Sequence, residues 1–235
     1  MTTQPIEYTL GGLDFDGVLV AGERPGATIL VFHGMEGRSG AQEEFCHELA
    51  ALGYRAVSVD VFGRDVTAAG PDACAAAMDG FLKDRKALRD RLVGVADAIR
   101  AVPDVDADAM AAIGFCFGGL CVLDAARHGV GLRAVGAFHG LLTALPEPPE
   151  EPIATKVSVY HGWDDPLAPP SDVVALASEL TARGADWQLH AYGHAMHAFM
   201  ATFANAPERG IQYDETAARR AWSSLVGFLA ETFED

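Results

Sequence analysis

Apolar residues along this chain fall into two patterns that take turns. Short continuous runs rich in β-branched and aliphatic residues, as at 27–33, 55–60 and 109–115, have the length of strands buried on both faces. Between them, apolar positions recur at helical spacing. This predicts a helix over 41–52 with Gly53 as its C-cap, two helices within 71–99, and a helix over 118–127 stopped near Gly129. The rhythm continues with strands at 135–139 and 156–161, a helix over 171–182, a strand at 187–192 and a closing helix over 214–231. Before these, residues 8–20 alternate more loosely and predict an antiparallel hairpin that opens the sheet.

Strands alternating with helices require crossovers, so the predicted fold is three-layer α/β with a mainly parallel sheet flanked by helices. The acidic, proline-rich stretch from Leu145 to Pro152 is too short for a tether and reads as a surface loop, which leaves one domain over 1–235. In such sheets functional groups gather at the carboxyl ends of the strands.

Composition narrows the possibilities. Half of the 235 residues are hydrophobic and 21% are charged, the profile of a globular chain. The net charge of −16 argues against non-specific nucleic-acid binding and against attraction to anionic membranes, both of which need basic surface. No apolar run approaches the ~20 residues of a membrane span. The N-terminal MTTQPIEYTL has neither a basic nor an apolar signal region. The four cysteines form no Cys-x-x-Cys and read as reduced thiols, which predicts a cytoplasmic protein. The expected partner is a small molecule rather than nucleic acid or membrane, met by a monomer or homodimer.

The chemistry centres on Gly114-Phe-Cys-Phe-Gly-Gly119, a Gly-x-nucleophile-x-Gly pattern between a buried strand and a helix. A nucleophile on such a turn needs small neighbours, and the helix N-terminus behind it favours an anion. The competing reading is a buried cysteine beneath a glycine-rich turn. Folds with this turn present the nucleophile first, then an acid, then a histidine. Asp164 and Asp165 follow the next-to-last predicted strand, and His194 and His197 follow the last. Turn capping accounts for one aspartate but not two. Asp165, which opens Asp-Pro-Leu-Ala-Pro169, is the preferred acid, with Asp164 as the turn cap. His197 is preferred over His194 as base, and His190, inside a strand, reads as a packed or surface histidine.

Gly-Phe-Cys-Phe-Gly-Gly, His161-Gly-x-x-Asp-Pro-Leu-Ala-Pro169 and His197-Ala-Phe199 resemble the dienelactone hydrolase family of the α/β-hydrolase superfold. Leu52 to Gly63 and Tyr213-Asp extend the likeness over 27–233. The resemblance implies an ester or lactone hydrolase of the carboxymethylenebutenolidase type, acting through a cysteine acyl-enzyme. Cys116 would be nucleophile, Asp165 acid and His197 base, with the backbone N–H groups of Met35 and Phe117 as oxyanion hole, and no cofactor or metal. Two departures stand out. Family members carry a glutamate directly after the histidine that ends the third strand, where this chain has Gly34, with Glu36 two residues later. Glu36 is either the replacement thiol-modulating group or a solvated loop residue. Dienelactone hydrolase proper also places an arginine soon after its catalytic histidine, and here none follows His197 before Arg209. Arg38, Lys83 and Arg85 offer charge from elsewhere but read more readily as helix-surface cations. Trp163 and Phe199 are candidate pocket residues, though aromatics at such places are more often core. The alternative class is a non-catalytic relative that binds a ligand or partner.

Overall fold

The computed structural model describes residues 1–22 and 26–233, in two compact units, Met1–Ile113 and Gly114–Asp235. In the first, β1 (Thr2–Leu10) and β2 (Leu13–Ala21) form the expected antiparallel hairpin. Strand β2 pairs antiparallel with β4 (Arg55–Val59), which pairs in parallel with β3 (Thr28–Phe32). Every residue of β3 is buried, as a continuous apolar run requires. The β3–β4 crossover is α1 (Gly40–Ala51), opened by a Ser39–Gln42 capping box.

The helical stretch after β4 breaks where its pattern does. Helices α3 (Pro71–Lys83) and α4 (Arg85–Arg100) meet at Asp84, whose carboxylate accepts from Ala87 N–H at 2.9 Å and caps α4. Leu88, Leu92, Val95, Ala96 and Ile99 form the buried stripe of α4. A short α2 (Arg64–Ala69) buries none of its residues, so the apolar pattern carried no sign of it. Strand β5 (Met110–Phe115), wholly buried, ends in the second unit.

In the second unit, α5 (Phe117–Arg127) follows β5, and β6 (Ala134–Phe138), β7 (Lys156–Gly162) and β8 (Trp187–Tyr192) pair in parallel. Helix α5 packs on β6, and the closing α7 (Glu215–Phe233) on β6 and β7. Helix α6 (Pro170–Ala182) links β7 to β8. Phe138 and Tyr160 stack at 4.5 Å within this core. The register sets Phe138 beside Tyr160 and Gly162 beside Tyr192. The chain therefore leaves these strands side by side at one sheet end. The Cys116 N–H, bonded to Phe138 O at 3.1 Å, lies at the same end. Two-residue strands β9 (Asn205–Ala206) and β10 (Ile211–Gln212) make a small hairpin before α7. Among the described residues no helix is long and apolar enough to cross a membrane.

Candidate active site

Cys116 stands between β5 and α5 with φ 54° and ψ −114°, a conformation that costs a non-glycine residue about 1–3 kcal/mol. The turn is that tight because both flanks are glycine. A Cβ on Gly114 would lie 2.1 Å from the Gly118 carbonyl oxygen. Phe138 O accepts from Cys116 N–H, and Cys116 O accepts from Leu120 N–H and Leu141 N–H, both at 3.3 Å. The thiol is half-buried, whereas Cys46, Cys74 and Cys121 are buried, and all four are free. Burial pushes the Cys46 and Cys74 thiols above their usual range, with nearby carboxylates adding to it.

The two aspartates and two histidines sort into pairs. His197 Nδ1 donates to Asp165 Oδ2 at 2.7 Å, and both side chains are almost wholly buried. His194 and Asp164 lie 3.5 Å apart in the open, 98% and 46% exposed, where an ion pair contributes little. The division of labour differs in one respect from the sequence expectation. Asp165 also caps its own turn, its Oδ1 accepting from Leu167 N–H at 2.8 Å, so one oxygen of the carboxylate bonds His197 and the other the turn. His190 stacks on Tyr160 at 5.4 Å as part of the packing.

Burial alone would lower the proton affinity of His197. The hydrogen bond to Asp165, the interaction with the Cys116 thiol and the charges of both groups outweigh it and push the pKa up to about 10. Two further imidazoles surround this pair. His139, at the end of β6 with φ 35°, sets its ring across that of His197 with centroids 5.2 Å apart. Neither its nitrogens nor those of His161, at the end of β7, have a partner. Burial, and then the charge of His197, hold His139 far below the usual histidine range. Burial also lowers His161, with Asp165 opposing. Sequence reading placed both histidines at strand ends and gave neither a role, because a sequence carries no sign that an imidazole will be buried without a partner.

Phe199, a candidate pocket residue, has no exposed surface and packs edge-on against His139 and Tyr192. Trp163 is 42% exposed, with its ring edge towards His161.

Glu36, Met35 and Gly34 belong to the first unit. Buried His33 accepts from Val61 N–H at Nε2, so Nδ1 carries the proton it donates to Gly34 O, which ties the 34–37 turn to the segment after β4. Met35 lies exposed in that turn, and Phe117 is the first residue of α5 in the second unit. Glu36 folds back so that its Oε1 accepts from Gly34 N–H and from Gln42 Nε2. A Cβ at position 34 would lie 2.6 Å from Glu36 Oε2, so the carboxylate occupies the space that a side chain at 34 would need. Among the cations considered for substrate binding, Arg38 is engaged by Glu43 and Asp16, Lys83 is exposed, and Arg85 is buried instead of lying on a helix surface. No group of three or more His, Cys, Asp or Glu side chains among the described residues is arranged to hold a metal ion.

A largely parallel α/β fold with a strained strand-to-helix turn, and a buried aspartate–histidine pair on the loops of later strands, defines an α/β hydrolase. Within that class the chain belongs to the dienelactone hydrolase family, whose model matches residues 15–233. It is 38% identical over 149 residues to an uncharacterised protein of Caenorhabditis elegans, covering 62% of this chain and 94% of that one. A probable 2-oxo-3-(5-oxofuran-2-ylidene)propanoate lactonase of Bradyrhizobium is 26% identical over 225 residues, 90% of this chain and 85% of the relative. Among solved structures, a dienelactone hydrolase-like promiscuous phosphotriesterase from metagenomic libraries superposes with TM-score 0.90 at 33% identity, covering 99% and 98% of the two chains.

Proposed function

We propose that this protein hydrolyses esters or lactones, in the manner of a carboxymethylenebutenolidase, through an acyl-enzyme on Cys116. The observation that carries this reading is the buried 2.7 Å contact of His197 Nδ1 with Asp165, which leaves Nε2 of the same ring without a hydrogen-bond partner. His197 takes the thiol proton, and Asp165 holds the imidazole in the orientation this needs. The thiolate attacks the carbonyl carbon. The oxyanion is stabilised by the Phe117 backbone N–H at the start of α5, a donor worth about 3 kcal/mol in sites of this kind. The C–O bond then breaks, and the departing oxygen takes the proton from His197. With the sulfur acylated the thiolate charge is gone, His197 holds a proton less tightly, and it can activate the water that cleaves the thioester. Trp163 is the proposed wall for the acyl group.

A thiolate leaves a tetrahedral intermediate more readily than an alkoxide does. The forward reaction therefore favours substrates with good leaving groups, namely enol lactones and aryl esters. The test is hydrolysis of p-nitrophenyl acetate and of a matched alkyl ester by wild type, Cys116→Ala and Cys116→Ser, with mass spectrometry of the trapped protein. Turnover that prefers the aryl ester, an acyl adduct on Cys116 and loss of activity in the alanine variant are expected. A folded wild type with neither turnover nor adduct would return weight to a ligand-binding relative.

A further inference from the structure

The chain does not run straight from His197 to α7. It turns away at Ala198 (φ 59°), makes tight turns closed by Ala201 N–H to Ala198 O and Ala204 N–H to Ala201 O, then returns through β9, the 3₁₀ turn Pro207–Arg209 and β10. The returning limb grips the histidine backbone on both sides. His197 N–H donates to Gly210 O at 2.9 Å, and Gln212 N–H donates to His197 O at 3.0 Å. His197 therefore has both main-chain polar groups committed to this limb, and its imidazole moves where the limb moves.

Gly210 also touches the other half of the pair. Its φ is +71°, and a Cβ built on it would lie 2.4 Å from Cγ and 2.5 Å from Cδ of Pro166. Those atoms belong to a rigid ring that cannot swing aside. Pro166 directly follows Asp165, in the turn that the Asp165 carboxylate caps through Leu167 N–H. One residue thus bonds to the backbone of the base and rests its bare Cα on the ring beside the acid.

We propose that Gly210 is a positioning residue for the Asp165–His197 pair: its carbonyl holds the histidine backbone, and its missing side chain lets the returning limb close on the Asp165-Pro166 turn. This rests on the catalytic reading of Cys116, Asp165 and His197 given above. Any side chain at 210 must push the limb off Pro166. The limb carries His197 with it while Asp165 stays with the proline, so the 2.7 Å contact lengthens. Displacements of about 1 Å in a catalytic constellation cost on the order of 100-fold in rate.

The experiment is a double-mutant cycle of Gly210→Ala and Pro166→Ala. It is read by kcat and KM for p-nitrophenyl acetate, by thermal unfolding, and by the downfield proton resonance of the His197 Nδ1–H bonded to Asp165. In the wild-type background Gly210→Ala should lower kcat about 10- to 100-fold, leave KM within about threefold, and shift or broaden that resonance. In the Pro166→Ala background, where the obstructing ring atoms are gone, the same replacement should cost about threefold or less and leave the resonance in place. A folded Gly210→Ala protein at wild-type kcat overturns the proposal. So does an equal loss in both backgrounds with an unmoved resonance. Should Gly210→Ala fail to fold, recovery of folding in the double variant upholds the contact and its failure to recover overturns it. Turnover that survives Cys116→Ala would remove the catalytic reading instead, and the resonance would still decide the role of Gly210.

Discussion

His197 shows how far one side chain departs from its free behaviour when its neighbours compete. Burial disfavours the imidazolium, yet Asp165 and Cys116 together reverse that and push the pKa up to about 10. Asp165→Asn keeps the shape but removes the charge and the correct acceptor. We expect it to lower kcat by 10² or more, to about 10⁴ where the imidazole tautomer is lost. NMR titration of the His197 ring should then give a pKa below that of wild type, because one raising cause is gone. Asp164→Asn, on the exposed pair, should leave kcat within about threefold. The choice between these adjacent acids was only partly legible in the sequence. Turn chemistry pointed to one capping aspartate and one catalytic candidate, whereas Asp165 both caps its turn and bonds His197 with separate oxygens. Gly210 was not legible at all, since its importance lies in a proline distant in sequence.

At the scale of elements, alternation of buried strands and amphipathic helices was readable because burial imposes periodicity. β3 and β5 are continuous apolar runs, and α4 keeps a clean stripe. The elements that escaped are those built without burial. α2 buries nothing, and β9 and β10 are two residues each, paired with one another, β10 being bonded to the His197 main chain. The β5–α5 junction is the reverse case, a local motif whose geometry follows from its residues. Gly114 has little room for a side chain, since a Cβ there would meet the Gly118 carbonyl oxygen at 2.1 Å. Gly114→Ala should therefore destabilise the protein by about 3 kcal/mol, the upper end of ordinary overpacking, because the obstacle is backbone. Urea unfolding measures this, and a change below about 1 kcal/mol would mean that the turn can relax.

Over the whole molecule, 33 acidic residues against 17 basic ones leave an excess of like charge that surface pairs such as Arg64–Glu7 do not balance. Raising NaCl from about 10 mM to about 300 mM shortens the screening length from about 30 Å towards 6 Å, so the melting temperature should rise by a few degrees. A fall would show that the ion pairs outweigh the net repulsion. The hairpin tip that interrupts the path from His197 to α7 has a different consequence. Pro207, Glu208 and Arg209 are exposed, while the limb on their far side is pinned to the histidine. Exchanging these three side chains leaves the main-chain bonds to His197 intact, whereas added residues would break the bond from Gly210 N–H to Pro207 O at 2.9 Å. The tip is thus a place where a designer can graft new recognition by side-chain exchange, while the main chain that holds His197 stays where it is.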